Sequence, residues 1–67
     1  MWSDELQKQT REHFETMPMA LMKHFGDLRF GACALIKGEY VITEHNTNTK
    51  HKFDSIEALI QNGWVID

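Results

Sequence analysis

Strand-like alternation around a glycine is the feature that most constrains how this chain can fold. From Leu28 to Thr43, every second side chain shares a face, which is the period of a β-strand. Gly38 interrupts this stretch, and glycine is a preferred residue in tight hairpin turns. The pattern therefore predicts an antiparallel hairpin.

The register of this hairpin depends on the length of its loop. A two-residue loop would require positive φ at Lys37, which is unfavourable for a residue with a side chain. A three-residue loop, Ile36 to Gly38, needs positive φ only at the glycine. We therefore expect the longer loop, which pairs Ala34 with Tyr40.

Helix signals precede the hairpin. Ser3 or Asp4 can cap a first helix, and the composition from Leu6 to Glu15 favours helix. Pro18 ends that helix and suits the first position of another. The apolar stretch up to Gly26 is therefore predicted to be a second, short and buried helix.

The segment after the hairpin has clear boundary signals. Asp54 and Glu57 have capping-box spacing, and Gly63 can end the helix that they begin. Trp64 is expected to fold back on this helix, and Val65 and Ile66 to form a short strand. The predicted fold is a single α+β domain over residues 1–67, with the order α-α-β-β-α-β.

Composition limits the class of protein. The 67 residues allow one small core, and the lone Cys33 cannot form an intrachain disulfide, which suits a reducing compartment. No stretch is long and apolar enough to span a membrane, so we expect a soluble, cytoplasmic protein. The net charge of −3 argues against a duplex nucleic-acid binder.

Residues with metal-binding or catalytic chemistry are present but lack a recognisable pattern. The chain has four histidines, His13, His24, His45 and His51, and Cys33 or Glu44 could serve as a further metal ligand. A zinc site usually contains tight ligand pairs, and only His45 and His51 approach that spacing. No catalytic motif occurs. We expect no metal, no cofactor and no enzymatic activity.

The polar run TEHNTNTKHK, Thr43 to Lys52, is predicted to connect the second strand to the last helix and to serve secondarily as a contact loop. The predicted interaction surface combines this loop with the start of the first strand. Its members are Arg29, Phe30, His45, Asn46, Lys50, His51 and Lys52.

The order EYVITE, a polar stretch, then KFDSIEALIQNGW resembles the strand-to-helix part of small phage-encoded anti-CRISPR inhibitors. The resemblance covers about a third of the chain and uses general signals of strand and helix, so it assigns no residue a role. Such inhibitors rely on strong acidity, which this chain lacks.

Size and the absence of catalytic motifs favour a non-enzymatic protein-interaction domain. We expect it to form a homodimer, or to accept a partner strand, along the edge of the Leu28 strand. The alternative is a small nucleic-acid-associated regulator or phage-type inhibitor, using Lys23, Arg29, Lys50 and Lys52. A metal- or ligand-binding accessory domain is a third interpretation.

Overall fold

A computed structural model describes residues 2–26 and 29–67 of the chain. The elements, in chain order, are α1 (Asp4–Thr16), β1 (Met19–His24), β2 (Phe30–Ile36), β3 (Glu39–Glu44), β4 (Lys50–Phe53), α2 (Ile56–Gln61) and β5 (Trp64–Ile66). The strands of this described part form one antiparallel sheet in the order β4-β3-β2-β1-β5. The predicted α+β class is confirmed, whereas the predicted order of elements is wrong.

The first correction concerns the segment after Pro18, which is strand β1 and not a second helix. Its burial alternates: Leu21 is 61% exposed and its neighbour Met22 is fully buried. The strand pairs with β2 on one side and β5 on the other, so its backbone is satisfied by the sheet. Sheet pairing from distant segments has overridden the local helix signal.

The second correction concerns the hairpin. Its loop has two residues, because Lys37 (φ 50°) and Gly38 (φ 82°) both adopt the left-handed conformation. Ala34 therefore pairs with Val41, and the predicted pairing of Ala34 with Tyr40 is wrong. A turn with positive φ at both positions matches the right-handed twist of the strands, and this gain outweighs the cost at the lysine.

Strand β2 lies in the interior of the sheet, between β1 and β3. In the described part of the chain the strand has no open edge, so the prediction that the protein associates along this strand is wrong. The predicted first residue of the strand, Leu28, lies outside the described residues.

The helix boundaries follow local capping chemistry. The Ser3 hydroxyl accepts a hydrogen bond from the amide of Leu6 at 3.2 Å. The cap of α2 is Ser55, which accepts from the amide of Ala58 at 3.1 Å, so the prediction of Asp54 as cap is wrong by one residue. Gly63, with φ 102°, follows the end of α2 as predicted, and β5 is also confirmed.

The core lies on one face of the sheet, which we call the inner face. Its main buried residues are Met22, Cys33, Ile42, Leu59, Ile60 and Trp64. Helix α1 packs chiefly against β5 and helix α2 against β5 and β4. Since Phe14 of α1 and Ile56 of α2 join the same core, both helices cover the inner face.

The polar run from residue 43 to 52 is only partly a connector. After a turn that follows Glu44, the chain enters β4, which pairs with β3 from Lys50 onwards. Alternation along β4 then directs His51 to the inner face and both Lys50 and Lys52 to the opposite face.

Candidate functional site

The face of the sheet opposite the core, which we call the outer face, carries a continuous set of apolar side chains. Strand pairing aligns them in rows that cross the sheet. One row is Leu21, Ala32, Thr43 and Lys50, and the next is Met19, Ala34, Val41 and Lys52. Phe30 and Ile36 lie at the two ends of β2 on the same face.

The large apolar side chains of this face are exposed to a degree unusual for core-type residues. The exposed fractions are 63% for Met19, 61% for Leu21, 51% for Ile36 and 42% for Phe30. Isolated exposed apolar residues are normal on a protein surface, whereas large contiguous apolar patches are rare on monomeric proteins. These four residues lie on adjacent strands, so they belong to such a patch.

The patch has a shallow trough along β2. Ala32 and Ala34 form its floor because their side chains are short. Larger side chains of β1 flank the floor on one side, and a depression of about 220 Å³ between Met19, Leu21 and Ala32 is part of the trough. We call this feature the β2 trough.

The dimensions of the fold agree with a sheet that is covered on the inner face and open on the outer face over β1 to β4, since Val65 of β5 is buried. The Cα atoms extend over 29 × 28 × 16 Å, so the molecule is a thin slab. A helix layer packs about 10 Å from a sheet, and 16 Å accommodates one such layer. The outer face is therefore a broad side of the slab.

The edges of the sheet are less available than this face. At the β5 edge, the Thr10 hydroxyl accepts a hydrogen bond from the amide of Ile66 at 3.1 Å and donates one to the carbonyl of Leu6 at 2.7 Å. At the other edge, β4 has only four residues and presents Lys50 and Lys52. Short, lysine-bearing edge strands resist pairing with other chains.

Charge on the outer face has the opposite sign to charge on the rest of the molecule. The outward side chains of the strands include three lysines, Lys23, Lys50 and Lys52, and one glutamate, Glu39, which together give +2. Because the whole chain has a formal charge of −3, the remaining residues carry −5. The outward residues of the strands thus carry a net positive charge, opposite in sign to the rest of the chain.

The structure divides the predicted interaction surface into three parts. Phe30, Lys50 and Lys52 lie on the outer face, as described above. His45 and Asn46 are exposed in the turn after β3. Arg29 and His51 point to the other side and take part in an ion cluster. The seven predicted residues therefore do not form one surface.

The ion cluster is centred on Glu44, which is 7% exposed. Its carboxylate accepts a hydrogen bond from Arg29 Nη1 at 3.1 Å and contacts His51 Nε2. The hydrogen bond to His51, aided by the charge of Arg29, lowers the pKa of Glu44 below its ordinary value. The indole ring of Trp64 lies against both partners, with the Arg29 guanidinium 5.7 Å from its centroid.

These contacts favour a structural role for the cluster. Its carboxylate is ionised and hydrogen-bonded to its own chain, so it is a poor general base at neutral pH. A buried carboxylate that pairs with Arg29 and hydrogen-bonds to His51 instead stabilises the ends of β3 and β4. We therefore assign Arg29 and His51 a structural role.

A second concavity lies on the helical side. It has a volume of about 290 Å³ and is lined by Arg11, Phe14, Glu15, Tyr40 and Ile56. The Arg11 guanidinium, which could bind an anionic ligand there, makes a two-point ion pair with Glu57 of α2, with Nη2 2.9 Å from Oε1. That pair joins the two helices and neutralises the arginine.

Cys33 behaves as a small apolar core residue. It is 2% exposed, and burial raises the pKa of its thiol to about 11. At neutral pH the thiol is therefore protonated and a weak nucleophile. Within residues 2–26 and 29–67, no three His, Cys, Asp or Glu side chains are grouped so as to hold a metal ion.

Comparison with known proteins found no match to any protein-family model, curated protein or solved structure. No helix in the described part of the chain is long and apolar enough to cross a membrane.

Sequence reasoning missed the β1 half of the outer face. Met19 and Leu21 were interpreted as buried helix residues, although both are among the most exposed apolar side chains. The signal that could have identified them is the alternation of MALMKH, in which Ala20, Met22 and His24 form the inner set. A run that is apolar on both faces hides this alternation.

Proposed function

We propose that this chain is a non-enzymatic protein-interaction domain that binds its partner through the outer face. The supporting observation is the contiguous set of exposed apolar side chains on β1 and β2, Met19, Leu21, Phe30 and Ile36. Exposure of apolar surface to water is unfavourable in free energy, and patches of this kind are usually covered when the protein binds its partner.

The chemistry of the remaining sites supports a binding role over catalysis. The thiol of Cys33 is buried, and the Glu44 carboxylate is hydrogen-bonded to Arg29 and His51 of its own chain. An active site usually combines a concave pocket with a free nucleophile or base. We also propose a cytoplasmic location, which the lone buried cysteine supports.

A small nucleic-acid-associated regulator is the second candidate. Lys23, Lys50 and Lys52 share the outer face with Phe30, whose ring could stack on a base. Arg29 does not contribute to this surface, because it pairs with Glu44. Binding to phosphates would weaken steeply as salt rises, whereas binding to an apolar protein surface would not.

The test is affinity capture from the native lysate with a variant that places a charge in the trough. Ala32→Glu adds one negative charge at an exposed outer-face position, and Gln61→Glu adds the same charge at an exposed position of α2. We expect a protein partner that survives nuclease and high salt, is lost with Ala32→Glu and is kept with Gln61→Glu. Equal capture by both variants would contradict the proposal.

A further inference from the structure

We infer that the partner of the outer face is an amphipathic α-helix of another protein, with its apolar stripe in the β2 trough and acidic residues along the flank that faces β4. The inference rests on the function proposed above and adds the chemistry of the partner.

Backbone hydrogen bonding favours a helix as the occupant. Strand β2 is paired on both sides, by β1 and by β3, so the centre of the outer face presents side chains and no free backbone groups. An extended segment laid across it would bury its own N–H and C=O groups without partners. A helix satisfies its backbone internally and can cover the face at no such cost.

The shape of the trough fits one helix. Its floor is Ala32 and Ala34, and its walls are the paired outward residues of the neighbouring strands, Met19, Leu21, Val41 and Thr43. The seven residues of β2, from Phe30 to Ile36, extend over about 23 Å at about 3.3 Å per residue, and the large side chains of these two end residues close the trough at its ends. A helix of about 15 residues has the length of β2 and would contact Phe30 and Ile36 near its own ends.

Charge determines which flank of the helix is acidic. Lys50 and Lys52 continue the two rows beyond Thr43 and Val41, so they lie along one margin of the trough. Acidic side chains on that flank of the helix would meet both lysines. The outer face carries +2, which further favours an acidic partner.

Charge also argues against the other occupants. A second copy of this chain, docked face to face, would bring two surfaces of +2 together. Single-stranded nucleic acid is attracted by the lysines, but binders of single strands use several aromatic platforms. Phe30 is the sole ring among the described outward side chains of the strands, and the floor of the trough is aliphatic.

The test uses the full chain and three designed 18-residue helical peptides with one shared apolar stripe. Their flanks carry glutamate, glutamine or lysine. Titrations followed by amide chemical shifts should show tightest binding for the glutamate peptide, with the shifts centred on Leu21, Ala32 and Thr43. Lys52→Glu should lower the affinity for the glutamate peptide by about threefold to tenfold. The matched charge reversal Lys8→Glu on α1 should leave that affinity unchanged.

Several results would overturn the inference. Equal affinity for the three peptides, or no binding by any of them, excludes an acidic helix. A dimer in sedimentation that Ala32→Glu dissociates identifies a second copy as the occupant, and tighter binding of an oligothymidine at the same residues identifies nucleic acid. If no peptide binds while Ala32→Glu still abolishes capture of the protein partner, the proposed function stands and the inference of a helical partner is wrong. If capture is unaffected by Ala32→Glu, the proposed function itself fails.

Discussion

Replacing Met22 by alanine tests the orientation of β1, and replacing its neighbour Leu21 provides the control. Met22 is fully buried in the core, whereas Leu21 is 61% exposed on the outer face. Truncating a buried methionine costs about 2–5 kcal/mol, and truncating an exposed side chain usually costs less than about 0.5 kcal/mol. A 67-residue domain has a stability of about 3–10 kcal/mol, so Met22→Ala should remove a large fraction of it.

Urea unfolding at 25 °C is the appropriate assay, since the buried Trp64 reports loss of the core through its fluorescence. With a slope of about 1 kcal/mol per M for a chain of this size, the midpoint for Met22→Ala should fall by about 2–5 M. The midpoint for Leu21→Ala should stay within about 0.5 M of wild type. Equal losses for the two variants, or a larger loss for Leu21→Ala, would refute the strand assignment of β1.

Three other perturbations have definite outcomes. Gly31→Ala should destabilise the fold by about 1–3 kcal/mol in the same assay, because an added Cβ would lie 2.7 Å from the backbone oxygen of Thr43. A variant as stable as wild type would contradict this close approach of β2 and β3. Ser55→Ala should cost about 1 kcal/mol and Asp54→Ala much less, since the serine makes the cap of α2; the reverse order in urea melts would restore the aspartate cap. The lowered pKa of Glu44 implies stability that is present above the ordinary carboxyl value of 4.5 and is lost as the pH falls through the folded-state pKa. The difference in Tm between wild type and Glu44→Gln should therefore shrink in acid, and a constant difference would contradict the ion cluster.

Local signals in the sequence predicted several elements correctly. Ser3, one of the two predicted caps, begins α1, Gly63 follows the end of α2 with positive φ, and β5 follows as a short strand. These features depend on contacts within one turn of the chain, so neighbouring residues are sufficient to specify them. The error of one residue at the cap of α2 arose because Asp54 and Ser55 are both good capping residues.

Features that depend on distant segments were predicted poorly. β1 was interpreted as a helix, because a short apolar run is ambiguous until its pairing partners are known. The hairpin register predicted from the sequence is wrong by one residue, because the twist of the paired strands favours positive φ at Lys37 and is not visible in the local sequence. β4 was missed because its polar residues gave no apolar alternation.

The candidate site shows the same division. Phe30, Lys50 and Lys52 were predicted as surface residues and lie on the outer face, whereas Arg29 and His51 turned inward to Glu44. The sequence located polar and aromatic residues that could make contacts, but it did not indicate which of them share a face. That depends on strand register, which shifts a side chain to the opposite face with each residue.

The sequence by itself determined the α+β class, the approximate boundaries of α1 and α2, and the supply of more apolar residues than one small core buries. Only the tertiary structure decided that the surplus would form the outer face. Both helices pack on the inner face, so the alternate residues of β1 and β2 are left exposed. The physical reason is that alternation assigns residues to two faces, whereas the packing of distant helices decides which face is covered.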